Sequence, residues 1–494
     1  MESLSSNSVS FTGQIVWSIA GILPIGALLG SLIATAGYAS PFVFLLTLGI
    51  IILVSIPVLE YTRLARFAGG YYGAAELGFG KPTGKFVALT NYVFYIGWQI
   101  ANVTFVAAVF AVGYYAAYGF YPPFYAYFLV GSLAAIVPLL SSILKVKKAS
   151  KIVIYATFIG IALNIIALVF IIMHAHYFSI DQFNPSFAPG GISGALFSLV
   201  VYGFFSYSGY GFLLFYTEEG KVPYKNTWKA AIIGLVVATI IDVVVSFFIN
   251  AVFGPIGIVK AIEFPQPGLL LYVRYLGIYG ELAIVGIIII LVVFSFASGV
   301  GAQGRIIYAL ARDNFIKNKW IGKLNKNKVP MNNMVVNFII VIAAFLLMGA
   351  IFIPTYGYFK SIFYLSYIPS TISTVFWYFH HLIPDLSLSS FYKKHKIKVI
   401  NLRNFTISIA MPAIATGTII YSLYESIIAY RVEPYFAGLV LGAIIILIIF
   451  IWVLYRYLTN TIGESSINAQ LNSEEILKMG GTIEEVNIPS GGKK

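Results

Sequence analysis

Twelve long apolar runs divide this chain, at roughly residues 14–36, 42–66, 86–118, 124–144, 150–174, 193–217, 229–253, 281–309, 331–353, 359–382, 405–428 and 434–457. Each offers about 20 or more mainly apolar residues, the length an α-helix needs to cross a bilayer core. Nothing constrains the fold more. In hydrocarbon, backbone amides must be paired within the segment or within the protein, so runs of this length become helices. The 494 residues are 59% hydrophobic and only 10% charged, which excludes a soluble globular class. The expected fold class is therefore an all-α polytopic membrane protein with twelve transmembrane helices. Spans 3 and 8 are long enough to tilt or to extend into water. The absence of cysteine excludes disulfides, thiol nucleophiles and iron–sulfur sites. Met1–Ser10 lacks the basic stretch of a cleavable signal, so the first apolar segment is expected in the mature protein.

An even number of spans puts both termini on one side, and lysine and arginine choose the side. With the termini inside, the outer loops hold only Lys260, Arg274, Lys360 and Arg431, leaving 27 of 31 basic residues inside. The loops are short enough for the positive-inside rule. The net charge of +13 is thus a topology signal, and no nucleic-acid partner is expected. The reading is a multi-pass plasma-membrane protein with residues 1–13 as a cytoplasmic N-terminus. Residues 458–494, polar and of mixed charge, read as a cytoplasmic tail of little structure.

Span 6 carries an anomaly. Within 203–223, Gly203, Gly209 and Gly211 sit with Ser206 and Ser208 in the middle of an apolar run. Each glycine costs a helix interior roughly 1 kcal/mol relative to alanine. Taken alone, the pattern fits either close packing of a neighbouring helix or backbone opened to line a binding site. Span 1 carries a second interruption, Gly21-Ile-Leu-Pro24-Ile-Gly26-Ala-Leu-Leu-Gly30, where proline also removes an amide donor. Interruptions in spans five apart, at matching positions, are the pointer to an inverted-repeat transporter.

Four stretches resemble the amino acid–polyamine–organocation (APC) superfamily, particularly its prokaryotic amino acid permeases. They are the Gly21–Gly30 break followed by Ala36-Gly37 and Pro41, Glu60 through Gly69-Gly70-Tyr71 and Phe79-Gly80-Lys81, Glu218-Glu219-Gly-Lys221-Val-Pro223, and Arg305-Ile-Ile-Tyr308-Ala309-Leu-Ala311-Arg312-Asp313 with Pro330 beyond it. The resemblance implies two inverted five-helix repeats, at 14–174 and 193–382, with spans 11 and 12 (405–457) outside the core. It also implies alternating access around one central site between broken helices 1 and 6.

An amino acid zwitterion needs an anion site and a cation site a few ångströms apart. Half-helix N-termini offer free amides to a carboxylate and half-helix C-termini offer carbonyls to an ammonium. The candidate substrate site is accordingly the amides near Gly26 and Ala27, the carbonyls near Ile22 and Leu23, and the carbonyls near Phe205, Ser206 and Ser208, with Gly209 permitting close approach. The resemblance makes Phe205 an aromatic lid over the substrate; otherwise it is one of 40 phenylalanines filling a core. Where the family often has a carboxylate in helix 6, this chain has Gly211, and span 5 has Asn164 but no charge between Lys151 and His174.

The candidates for ion coupling are Asp242 inside span 7, Glu60 near the inner end of span 2, and Ser295 with Ser298 in span 8. An intramembrane acid is protonated, partnered or facing a water-filled crevice, and the family places inner-gate scaffolding near Glu60. The two serines, three apart on one helical face, could join carbonyls in holding sodium. No cofactor is expected beyond a coupling proton or sodium ion. His174, His176, His380 and His381 read as residues at helix ends, with no third metal ligand at convincing spacing. Glu218, Glu219, Lys221, Arg305, Arg312 and Asp313 read as water-exposed salt bridges of an inner gate, worth at most about 1 kcal/mol each.

The function that follows is secondary active transport of a small molecule, an amino acid and more specifically a neutral one, by ion-coupled symport or exchange. A polyamine carrier should show acids in its pocket, and spans 1, 3, 6 and 8 have none away from their ends. A polyamine, nucleobase or other small organic solute on the same fold is the alternative. A membrane enzyme would need convergent acids, histidines or a nucleophile, and the sequence offers only two separated buried acids. The partners are the substrate and membrane lipid; the sequence leaves oligomeric state open.

Overall fold

The computed structural model describes residues 10–22, 30, 32–66, 69–144, 146–216, 226–263, 267–429, 431–465 and 470–482. Among these the regular structure is helical, apart from one two-residue ladder. Spans 2, 3, 4, 5, 9 and 12 are the helices Ser40–Leu64, Lys81–Tyr118, Phe124–Ser142, Val146–Met173, Met331–Tyr356 and Tyr435–Leu458. Their ends follow local chemistry. Pro41 and Pro82 open spans 2 and 3 in the first turn, where a missing amide costs nothing, and Gly119 closes span 3 in the left-handed conformation at φ 75°.

Nine helices among the described residues are long and apolar enough to cross a membrane. The twelve-span reading adds three segments. Span 1 is described as the short helix Phe11–Ile22, while spans 8 and 10 are the helices Pro267–Arg312 and Tyr358–Lys394. The lipid-facing surface is apolar, as a bilayer requires: Leu447, Ile448, Phe450 and Ile451 on span 12 all stand exposed. The core holds Trp17, Trp98 and Trp377 and several tyrosines with no exposure to speak of.

Five features depart from the sequence reading. Spans 7 and 8 are each two helices joined at a glycine, Gly254 (φ 68°) and Gly277 (φ 65°), so residues read as loop are helical extensions. The helix Tyr71–Phe79, between spans 2 and 3, lies in a stretch read as a connection. Span 10 runs to Lys394, well past residue 382, because its apolar periodicity continues through Pro384 to Leu388 and Phe391. Span 6 does not open into coil over 203–216. It changes its winding instead, from a π turn at Leu199–Gly203 through one α turn to a 3₁₀ stretch at Ser208–Tyr216.

The tail is the fifth. Residues Gln470–Leu471 pair antiparallel with Ala65–Arg66, and a short helix, Ser473–Lys478, follows. The Asn472 amide donates to the Leu64 carbonyl at 2.7 Å, Arg63 reaches Glu475 at 3.2 Å, and Ile476 is fully buried. Mixed charge suggested a solvated tail, but its charges are used to dock one buried isoleucine and a strand against the end of span 2.

Candidate functional site

Spans 1 and 6 meet through glycine. A Cβ on Gly21 would lie 2.8 Å from the Gly209 Cα, and one on Gly209 would overlap the Gly21 backbone. No side chain separates the two stretches of backbone at this point. Ile22, next in the chain, is buried at this crossing. Leu23, Gly26 and Ala27 lie outside the described residues, as do Glu218, Glu219 and Lys221.

The span 6 candidates sit on its change of winding. Ser206 donates its hydroxyl to the Tyr202 carbonyl at 2.9 Å and Ser208 to the Phe205 carbonyl at 2.7 Å. Both hydroxyls donate to their own helix, so their oxygens can only accept, beside the backbone groups of this segment. Phe205 is half-buried and lies 6.3 Å from the Tyr202 ring. Gly203 approaches Thr47 of span 2, where a Cβ would meet the hydroxyl at 2.6 Å.

Below the crossing, aromatic rings from spans 3, 6 and 8 form one cluster. Trp98 packs edge-on to Phe212 at 5.5 Å and to Phe296 at 5.4 Å, and Tyr95 lies 5.8 Å from Phe212. Gly299 makes room for it, since a Cβ there would meet Trp98 and, at 3.1 Å, Phe212. Span 3 contributed no candidate at the sequence level. Its aromatic residues are too many for composition to single any out.

The acids divide sharply. Glu60 is held by Arg63, by Arg403 at 3.1 Å to each oxygen and by Tyr392 at 3.2 Å. Asp242 is buried within electrostatic reach of Tyr207, which places it beside span 6. Ser295 and Ser298 lie on the helical backbone of span 8, and their side chains are outside the described residues.

Of the six residues read as water-exposed pairs, the three described ones, Arg305, Arg312 and Asp313, are buried. Asp313 is fully buried, accepts from Tyr72 and stands 3.3 Å from Lys85, which lies 3.6 Å from Glu76 and is itself fully buried. Arg312 Nε stands 3.6 Å from Asp313, and Arg305, also buried, donates to the Gly301 carbonyl at 2.6 Å. Lys85, Glu76 and Tyr72 were missed because each reads alone as a boundary residue. The helix Tyr71–Phe79 carries Tyr72 and Glu76, and the start of span 3 carries Lys85, to the end of span 8.

A second omission lies on span 10. His380 and His381 are not at a helix end but in mid-helix and buried, each with Nδ1 bonded to the carbonyl four residues back. One turn on, Asp385 is a third fully buried acid. Pro384 and the polar run after it made this stretch look like a loop. Among the described residues no group of three or more histidines, cysteines and acids is placed to hold a metal.

Residues 7–470 match the family model described as "Amino acid permease". The chain is also similar to the aromatic amino acid permease FywP of Lactococcus lactis subsp. cremoris (strain MG1363), at 32% identity over 165 residues. That match spans 33% of this chain and 35% of the relative.

Proposed function

Because the chain belongs to the amino acid permease family of the APC superfamily, a family of multi-pass membrane transporters, we propose that it carries neutral amino acids, large apolar ones included. The observation that carries this reading is the direct crossing of Gly21 and Gly209. Two helix backbones meeting without side chains can present carbonyls and amides to a zwitterion, and the serine hydroxyls beside them are already bonded. A neutral substrate is favoured because span 3 and the 191–216 segment contain no acid to pair a second ammonium. A large apolar side chain is favoured by the ring cluster of Trp98, Phe212 and Phe296, in which Phe212 follows Gly209 by three residues on the same 3₁₀ stretch. The partial likeness to an aromatic amino acid permease points the same way.

The cycle is alternating access, with spans 1–5 and 6–10 as inverted repeats that rock about the crossing. The end carrying Lys85, Asp313 and the docked tail is the cytoplasmic gate, consistent with the basic residues concentrated on that side. Transport is ion-coupled symport or exchange in the plasma membrane.

Uptake of labelled L-phenylalanine, L-leucine, L-lysine and putrescine into proteoliposomes tests the reading. Uptake of the first two, competed by other neutral amino acids, is expected. Uptake of putrescine or lysine alone contradicts the substrate class.

A further inference from the structure

We propose that Asp385 is a proton-binding site that couples the transport cycle to a pH gradient. The proposal rests on the transporter reading above, but part of its test does not.

Asp385 is fully buried, and neither carboxyl oxygen has a side-chain hydrogen-bond partner among the described residues. The Val58 backbone of span 2, just after Pro57, lies within hydrogen-bonding reach of it. An ionised carboxylate in such surroundings costs several kcal/mol unless a cation offsets it. Among the described residues, several cations of this end of the bundle have other partners. Arg63 and Arg403 hold Glu60, Lys85 faces Asp313 and Glu76, and Arg456 binds the Thr461 and Phe315 carbonyls. Among the described residues Glu60 is thus ion-paired and Asp385 is not, and a buried carboxyl without a cation is neutral when it carries a proton.

Among the described residues, the titratable groups that face it are able to share a hydrogen bond and carry no fixed charge. From span 2 comes Tyr61, bonded to Ser387 at 2.7 Å; from the helix Tyr71–Phe79 comes Tyr71; from span 6 comes Tyr210. On its own helix His381 lies one turn back, stacked 4.0 Å from Trp377, with His380 beside it. The His381 ring lies 4.2 Å from Tyr71 and 5.7 Å from Tyr210, and its Nε2 is buried without a hydrogen bond.

This cluster touches the substrate helix. The Tyr71 ring fills the space at Gly211, where a Cβ would come within 2.7 Å of its Cζ. Gly211 is two residues from the Gly209 crossing, on the same 3₁₀ stretch. A charge appearing on Asp385 therefore acts on Tyr71 and Tyr210, and through them on the segment that closes the site. That is the physical content of coupling: two ligands biasing one element with two arrangements. In the cycle the carboxyl O–H breaks when the gate opens, the electron pair stays on the oxygen and the proton passes to solvent water. Reprotonation from the other side completes the turn.

Asp385→Asn keeps shape and neutrality but cannot release a proton. Infrared difference spectra of the purified full chain across a pH step should show the carbonyl stretch of a protonated carboxylic acid in the wild type, with that band missing in D385N. In proteoliposomes, accumulation of L-phenylalanine driven by an inward proton gradient should fall about tenfold in D385N, within the range of ordinary site–site coupling, while exchange persists. An unchanged infrared band in D385N, or uptake that follows the pH gradient as in the wild type, overturns the assignment. If the wild type moves no amino acid at all, the transport reading fails instead, and the infrared result still reports on the carboxyl.

Discussion

Gly21 and Gly209 face each other backbone to backbone, so that a Cβ on either would overlap the other's peptide unit. Their small size brings spans 1 and 6 within reach of one ligand. Alanine at either position forces the helices apart at a cost of about 1–3 kcal/mol. Gly209→Val should yield a protein that still elutes as a single species in detergent yet binds no amino acid. Normal uptake by that variant would show that the crossing is packing only.

Ser206 and Ser208 make the complementary case. Each hydroxyl is bonded to its own helix, a contact worth about 0.5–1.5 kcal/mol net. If backbone groups bind the substrate, Ser206→Ala and Ser208→Ala should leave the affinity for L-phenylalanine within about threefold, a change under 1 kcal/mol. A loss of binding in either alanine variant assigns the work to the hydroxyls.

Lys85 and Asp313 form a buried ion pair with Glu76 and Tyr72 around them. Lys85→Met removes the buried cation that Glu76 and Asp313 share, with Arg312 Nε still 3.6 Å from Asp313, and should cost about 3–5 kcal/mol of stability. Adding Asp313→Asn should restore part of it, which a double-mutant cycle of unfolding in detergent measures. Strictly additive losses would mean the pair does not hold the gate.

Ile476 anchors the docked tail. Its burial contributes about 1.5–3 kcal/mol, and Ile476→Asp removes it. Hydrogen exchange over 470–482 should then quicken by at least about tenfold while the spans keep their protection. Unchanged exchange would mean that the strand pairing and Arg63–Glu475 hold the tail alone.

Much of this was legible beforehand, for definite reasons. The apolar runs marked the helices because a bilayer admits few alternatives, and glycine, costly in a helix without cause, marked spans 1 and 6 as interrupted; the contact of Gly21 with Gly209 is visible only in the structure. Asp385 was not legible. Pro384 before it and Ser387 after it mimic a loop, and only packing against span 2 and Tyr71 shows the helix continuing. Lys85, Glu76 and Tyr72 were hidden similarly, since their pairing with Asp313 depends on a short helix that periodicity does not distinguish from a connection. The tail's order rests on Asn472 and Ile476, two residues in a polar stretch whose composition reads as solvated.

The central claim is that this chain binds an amino acid through its glycine crossing. Thermal unfolding of the detergent-purified protein against the twenty amino acids, several polyamines and nucleobases, with and without sodium, tests it most directly, because a ligand of the native state raises the melting temperature by mass action. The account predicts a shift with neutral amino acids, strongest for large apolar ones, that is independent of sodium and absent in Gly209→Val. A shift with a polyamine or a nucleobase and none with any amino acid would contradict it.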